Sequence, residues 1–138
     1  MSHELAGEHF VRILARESWL LGARQAEVLA LYVELASGHW YRFRIDATRG
    51  EWAGDWLASA PASGAAGDDA ESRHPLVDVA AHHGIVPARI DRVTIRQLGK
   101  LAELAIEFGN AARLVAHYRP PPGASSLTCT TLPTRDAH

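Results

Sequence analysis

Three side chains between residues 74 and 82 have the spacing of a metal site. His74, Asp78 and His82 lie at i, i+4 and i+8, and each four-residue step along a helix advances by about 40°, so all three fall on one stripe. Imidazole and carboxylate groups are ligands for zinc and similar divalent ions. Alternatively, the stripe faces solvent and the helix buries Leu76, Val79, Ala80 and His83. Because no HExxH, CxxC or HxH motif supports a metal, we expect no cofactor and keep this site as a secondary hypothesis.

Paired acids and bases are the second candidate chemistry, because a carboxylate that orients a histidine can serve acid–base catalysis. Glu103 and His117 form such a pair if the segments around Asn110 make a hairpin. Two further carboxylates, Glu34 and Asp46, lie in the sequence near Arg42 and Arg44. On the open face of a sheet, however, such pairs are usually solvated and contribute less than about 1 kcal/mol each. We therefore assign no catalytic residue.

The single cysteine, Cys129, lies between threonines near the end of the chain. It could act as a nucleophile only beside a histidine that favours its thiolate, and a small packing residue is the alternative reading. One cysteine cannot form an internal disulfide, which fits a reducing compartment.

Aromatic residues interleaved with arginines form a third pattern, one that is typical of protein–protein contact surfaces. Two predicted strands place such residues on the face that the main core does not need. A guanidinium over an exposed indole adds about 0.5–1 kcal/mol. Two tryptophans that follow closely in the sequence either extend this surface or fold back over it as a second core layer. The predicted partner-binding residues are Tyr32, Trp40, Arg42, Arg44, Trp52 and Trp56.

The first predicted hairpin turns at Ala36-Ser37-Gly38, where two alternating apolar and polar segments meet. A two-residue loop would place Val33 opposite Arg42 and mix core with charge. A three-residue loop keeps the inward residues together, and Gly38 then supplies the left-handed residue that this loop requires. The resulting pairs are Leu35 with His39, Val33 with Tyr41, Leu31 with Phe43 and Leu29 with Ile45.

The second predicted hairpin turns at Gly109-Asn110-Ala111 and has the same loop length. A strand from Arg89 to Arg96 precedes it and joins it through a turn at Leu98-Gly99, which places Ile95 against Ala102 and Val93 against Leu104, so three antiparallel strands share one apolar face. The predicted register pairs Ile106 with Leu114, Leu104 with Ala116, Ala102 with Tyr118, Glu107 with Arg113 and Glu103 with His117.

The remaining segments carry weaker patterns. Residues 8–21 fit either a capped helix or a strand over 10–16; we favour the strand, which would make the N-terminal half a repeat of the second meander. We predict a flexible loop over 58–73 and a short helix over 74–83. A last strand over 127–132 and a disordered tail over 134–138 complete the prediction.

Length and composition limit the classes of function. A chain of 138 residues and 15.0 kDa fits a single domain over 1–133, and 47% hydrophobic residues can form its core. A formal charge of −2 lacks the basic footprint of a nucleic-acid-binding protein. Neither a signal peptide nor a membrane-spanning apolar run is evident, so we expect a cytoplasmic protein. Arginine supplies 13 of the 14 basic residues, which suggests the codon usage of a GC-rich bacterium.

Together these patterns predict a β-rich α+β fold in which two antiparallel β-meanders form one or two packed sheets, with a short helix and a flexible loop between the halves. The absence of a catalytic motif and the aromatic–arginine surface favour a non-enzymatic protein-interaction domain, of which immunity-type proteins and adaptors are examples. Two alternatives remain open: a small-molecule or metal-dependent enzyme that uses a His/Asp/Glu cluster, and a homo-oligomeric structural protein. The expected partner is a protein or a second copy of the chain.

Overall fold

Two antiparallel sheets contain nearly all the regular structure of the computed structural model, which describes residues 3–46, 48–61, 72–119 and 124–131. In the first sheet the strand order is β4-β3-β2-β1-β5, and β6 also pairs with β1. Its strands are β1 (Phe10–Leu20), β2 (Ala23–Leu35), β3 (Trp40–Asp46), β4 (Glu51–Leu57), β5 (Ser72–Arg73) and β6 (Leu76–Asp78).

The second sheet has the order β10-β9-β8-β7 and follows a single helical turn, α1. Its elements are α1 (Val79–His82), β7 (Ile90–Leu98), β8 (Leu101–Phe108), β9 (Ala112–Arg119) and β10 (Ala124–Thr131). Both halves of the chain are therefore four-stranded meanders, and the predicted β-rich α+β class with a short helix is confirmed.

Both predicted hairpin registers are confirmed where the strands pair. Val33 lies opposite Tyr41 in the first hairpin, and Gly38 has a φ angle of +93° at the third loop position. In the second hairpin Ile106 lies opposite Leu114, and Glu103 opposite His117. The predicted turn at Leu98-Gly99 between β7 and β8 is wrong, because Leu98 pairs with Leu101 across a Gly99-Lys100 loop, and Ile95 therefore lies opposite Leu104 rather than Ala102. Apolar alternation determined the register because a one-residue slip would turn every inward side chain outward.

Leu29 is an exception, because the predicted pairing with Ile45 is wrong. The ladder between β2 and β3 ends at the pair of Ala30 with Arg44, and Leu29 is 42% exposed. Val28 is buried in its place. The alternation changes phase here, where β2 continues past its last pair with β3 and the register with β1 shifts near Ser18.

One apolar core lies between the sheets and takes residues from both. The rings of Phe10 and Phe108 lie 4.8 Å apart, and the Trp52 Nε1–H donates a 3.2 Å hydrogen bond to the carbonyl of Ala102. Backbone pairing also joins the sheets at one corner, where the Ile90 amide donates to the Glu8 carbonyl at 2.7 Å. The largest fully buried side chains include Tyr41, Phe43, Ile13, Leu31, Ile106 and Leu114.

The predicted helix over 74–83 is wrong in its first half. Leu76–Asp78 forms β6, which pairs with Leu14–Arg16 of β1, so the helix begins only at Val79. The carboxylate of Asp78 caps it by accepting a 3.1 Å hydrogen bond from the Ala81 amide. Pairing with a distant strand thus overrides the local helical pattern.

The predicted loop over 58–73 is also shorter than expected, since Ser72–Arg73 forms β5 against Trp19 and Leu20. Residues 62–71 of that loop lie outside the described residues, as do the predicted tail over 134–138 and Leu132. Strand β1 confirms the strand reading of residues 10–16. Strand β4 was missed because its sequence, EWAGDWL, has a glycine at the centre and no run of aliphatic residues.

The tip of the β1–β2 hairpin contains a leucine in a conformation that L-residues rarely adopt. Leu20 pairs with Ala23, which leaves a two-residue loop whose φ angles are +52° at Leu21 and +81° at Gly22. Positive φ at both positions is typical of a type I′ turn, in which Asn-Gly is preferred. Leu21 is 72% exposed, so burial of its side chain does little to offset the cost of the positive φ angle.

We predict that Leu21→Asn raises the free energy of unfolding by about 1 kcal/mol, because asparagine tolerates the left-handed region better than leucine. Chemical denaturation measures the change. Leu21→Ala is the matched control: it removes the same side chain but keeps the strain, so its stability should stay within about 0.5 kcal/mol of the native chain. An equal gain in both variants would contradict the argument from backbone strain.

Candidate functional site: the outer face of the first sheet

On the side of strands β1 to β4 that faces away from the core, the side chains form one continuous surface. Cross-strand pairs determine its neighbouring residues, for example Glu34 opposite Trp40 and Tyr32 opposite Arg42. Four arginines project from the surface among aromatic, aliphatic and acidic side chains. We call it the Arg–aromatic face, and its members are Arg12, Leu14, Arg16, Tyr32, Glu34, Trp40, Arg42, Arg44, Asp55 and Leu57.

Four of the six predicted partner-binding residues lie on this face: Tyr32, Trp40, Arg42 and Arg44. The other two lie on the opposite side of the sheet. Trp52 pairs with the inward Ile45 and is buried in the core. Trp56 pairs with Tyr41, packs edge-on against its ring at 4.9 Å and is 45% exposed. Neither tryptophan therefore extends or covers the Arg–aromatic face.

An aromatic layer lies beneath the arginines. Trp40 is 5% exposed and Tyr32 is 9% exposed, and they form a small second cluster with Ala30. The guanidinium carbon of Arg12 lies 5.3 Å from the Trp40 ring centre, and that of Arg16 lies 5.6 Å from the Tyr32 ring centre. Cation–π contact holds the guanidinium groups over the rings, so the groups that a partner would meet are mainly guanidinium.

Arginine–carboxylate pairs fix the positions of two of these guanidinium groups. The Arg12 Nε–H donates to Glu34 at 3.0 Å, and Arg42 binds Asp55 through two hydrogen bonds of 3.1 and 2.7 Å. The hydrogen bonds to Asp55 raise the pKa of Arg42 above its ordinary value. A bidentate pair of this kind restricts the guanidinium in both position and plane.

Arg44 has a different environment from the other arginines of this face. Its cross-strand neighbours are the small residues Ala30 and Ala53, and its side chain is exposed. Within the described residues no carboxylate forms an ion pair with it. Arg44 therefore offers a charged, bidentate donor group that is not used inside this part of the fold.

Sequence reasoning missed five further members of the face, Arg12, Leu14, Arg16, Asp55 and Leu57, and considered Glu34 only as a candidate acid–base residue. Arg12 and Arg16 alternate with the inward residues Ile13 and Ala15, so extending the strand reading of residues 10–16 to its outer side would have found them. Asp55 and Leu57 could not be found in this way, because strand β4 itself was missed.

The candidate metal ligands do not share a helical stripe. His74 precedes β6, Asp78 ends it, and only His82 lies in α1. Within the part of the chain that the structure describes, no group of three or more His, Cys, Asp or Glu side chains is placed to hold a metal ion. The side chain of Cys129 lies outside the described residues.

Glu103 is the centre of a charged network on the outer face of the second sheet. One carboxylate oxygen accepts from the Arg96 Nε–H at 2.9 Å, and the other lies 3.0 Å from the His117 Nε2. Glu103 is only 7% exposed, and the hydrogen bonds from His117 and Arg96 lower its pKa. With both oxygens occupied, this carboxylate is better suited to hold three strands together than to accept a proton from a substrate.

The other predicted acid–base sets do not form. Glu34 pairs with Arg12 rather than with Arg42 or Arg44. Asp46 accepts a 3.0 Å hydrogen bond from the Thr48 amide and so shapes the turn between β3 and β4.

Comparison of this chain with protein-family models, with curated proteins and with solved structures finds no match. The described residues contain no helix long and apolar enough to cross a bilayer. A functional proposal therefore depends on the side-chain geometry.

We predict that Trp40→Ala lowers the free energy of unfolding by about 3 kcal/mol, because it opens a cavity beneath Arg12 and exposes the neighbouring apolar side chains. Chemical denaturation measures this loss. The control is Arg44→Ala on the same strand, which should change stability by less than about 0.5 kcal/mol. Equal, small effects of both changes would show that the aromatic layer does not support the fold.

We predict that Glu103→Gln lowers the free energy of unfolding by about 2 kcal/mol at neutral pH, since it weakens two charge-assisted hydrogen bonds at a buried position. Because folding lowers the pKa of Glu103 below its ordinary value of 4.5, its contribution is present above that pH and is lost as the pH falls through the lowered pKa. The difference between variant and native chain should therefore shrink in acid. Glu107→Gln on the same strand is the control, and a pH-independent difference would contradict the assignment.

Proposed function

We propose that this chain is a non-enzymatic protein-interaction domain whose Arg–aromatic face binds an acidic surface of its partner. The observation that carries the proposal is the set of arginines held over a buried aromatic layer, with Arg44 left exposed and without an ion pair among the described residues. An adaptor or an immunity-type protein of a bacterial cytoplasm would use such a surface.

Charge favours an acidic partner. The whole chain carries a formal charge of −2, yet the ten residues of the Arg–aromatic face include four arginines and two carboxylates, those of Glu34 and Asp55. Asp46 and Glu51 also lie on this side of the sheet, at its end beyond Arg44, but Asp46 accepts a hydrogen bond from the Thr48 amide and Glu51 pairs with Arg49. A local positive field on a weakly acidic protein attracts a complementary surface and orients it during encounter.

Rigidity favours specific binding. Arg12 and Arg42 are restrained by carboxylates, so less side-chain entropy is lost when a partner binds them. Arg44 can then form a bidentate bond with a partner carboxylate. Removing one member of a fully desolvated charge pair at an interface typically costs about 2–5 kcal/mol, which makes Arg44 a strong test position.

The same charge pattern argues against a second copy as the occupant of this face. A two-fold dimer places the same patch on both subunits, so two arginine-rich surfaces would face each other. Like charges across an interface are destabilising, which leaves a different, acidic protein as the better partner.

The decisive variant is Arg44→Glu, compared with the native chain in capture from a lysate of the source cell. We expect the native chain to retain a protein with an acidic surface, identified by mass spectrometry. With that protein purified, Arg44→Glu should raise the dissociation constant by at least about tenfold and added salt should weaken native binding.

Arg92→Glu is the matched control, because Arg92 is an exposed arginine on β7 of the second sheet, opposite Glu107. It changes net charge equally but should leave the dissociation constant within about twofold. If both reversals weaken binding alike, only net charge matters and the Arg–aromatic face is not the site. Retention of no acidic protein by the native chain would remove the proposal.

A further inference from the structure

A cleft opens between the two sheets at the end of the molecule where the β1–β2 hairpin extends past β3. It has a volume of about 270 Å³, close to the lower limit of about 300 Å³ for small-molecule pockets. Segments far apart in the sequence form it. We call it the interlayer cleft, and its lining residues are Glu17, Arg24, Val77, Val79, His82, His83 and Leu127.

The interlayer cleft is separate from the Arg–aromatic face. Val77 pairs with Ala15, which faces the core, so this wall of the cleft is on the inner side of the first sheet. A ligand in the cleft and a protein on the outer face would therefore occupy opposite sides of the same sheet.

One part of the lining consists of Arg24, which is cationic, and of His82 and His83, which are cationic when protonated. The Glu17 carboxylate is already engaged, since one oxygen accepts from the Trp19 Nε1–H at 2.8 Å and the other lies 3.4 Å from Arg24. His82 and His83 pack edge-on with ring centres 5.0 Å apart. Within the described residues neither imidazole forms a hydrogen bond or an ion pair, so both retain donors for a ligand.

The other part of the lining is aliphatic. Val77 and Val79 come from β6 and α1, and Leu127 comes from β10 of the second sheet. A separate polar depression of about 220 Å³ is lined by Arg24, Gln25, Ala26 and Ser125, so it shares Arg24 with the cleft. Arg24 therefore borders both spaces, and the larger aliphatic side chains, those of Val77, Val79 and Leu127, line only the interlayer cleft.

We propose that the interlayer cleft binds a small carboxylate that carries a short aliphatic tail. The carboxylate lies between Arg24 and the two imidazoles, where it accepts charge-assisted hydrogen bonds. The tail lies against Val77, Val79 and Leu127, where its burial removes apolar surface from water. This combination of directed donors with an apolar wall is the usual construction of a small-molecule site.

Protonation of His82 and His83 strengthens binding, because two imidazolium groups then face the carboxylate. The charged groups that face them are Glu17 of β1 and Arg24 of β2, which pair with each other, and Asp78 at the start of α1, which is engaged as its cap. The described cleft residue of β10, Leu127, adds no charge. Affinity should therefore be higher in acidic than in alkaline solution.

The test is a titration of the ¹⁵N-labelled chain followed by amide chemical shifts, with hexanoate, acetate and inorganic phosphate as probes. At about pH 6 hexanoate should give saturable shifts centred on Val77, Val79, His82, His83 and Leu127. Acetate should bind at least about fivefold more weakly because it has no tail, and raising the pH to about 8 should weaken hexanoate by a similar factor.

The variant His82→Gln/His83→Gln should weaken hexanoate by about tenfold, since both imidazolium groups are lost. Both histidines are exposed, so amide shifts far from the cleft should be unchanged. His9, another exposed histidine, immediately precedes β1, and the control His9→Gln should bind as the native chain does. Because the comparisons of ligand and pH use the native chain, they test the site even if the double variant is unstable.

Three outcomes would overturn the proposal. The first is the absence of saturable shifts around the cleft with hexanoate at about pH 6. The second is phosphate binding as tightly as hexanoate, which would mean that the aliphatic wall is not used. The third is a double variant that is folded and binds like the native chain.

Discussion

The two-residue period of the pleated strand is the constraint on which the rest of this structure depends. Once the loop at Gly38 places Val33 opposite Tyr41 in the core, Tyr32 and Trp40 must point to the other side of the sheet. A shift of one residue would exchange the two sets and bury arginine between the sheets. The same strand register therefore determines both the residues of the core and the residues of the Arg–aromatic face.

This coupling gives the outer face two layers with different roles. Trp40 and Tyr32 are buried and stabilise the sheet, although they lie outside the main core. The arginines above them are held by π contacts and carboxylates, so the surface is ordered before any partner arrives. Arg44 is flanked by alanines and its side chain contributes little to the stability of the fold, so it is available to bind a partner.

Sequence alone predicted what depends on neighbouring residues and missed what depends on distant ones. Loop length and alternation fixed both hairpins, including the cross-strand pair of Glu103 with His117. The helix over 74–83 was wrong because Leu76–Asp78 finds its partner in β1, about sixty residues away. Trp52 and Trp56 were placed on the wrong face because β4 has no clear alternation of its own. The interlayer cleft could not be predicted at all, since its walls come from four separate segments.

The two halves of the chain share a plan, and the difference between them creates the cleft. Each half is a meander in which a two-residue loop is followed by a three-residue loop with positive φ at its third position, Gly38 in one half and Ala111 in the other. However, β2 has 13 residues and β8 has eight. The extra length carries the first hairpin beyond β3, where it can pair with β5 and approach β10. Lengthening one hairpin of an otherwise similar pair thus supplies a wall for a binding site without changing either core.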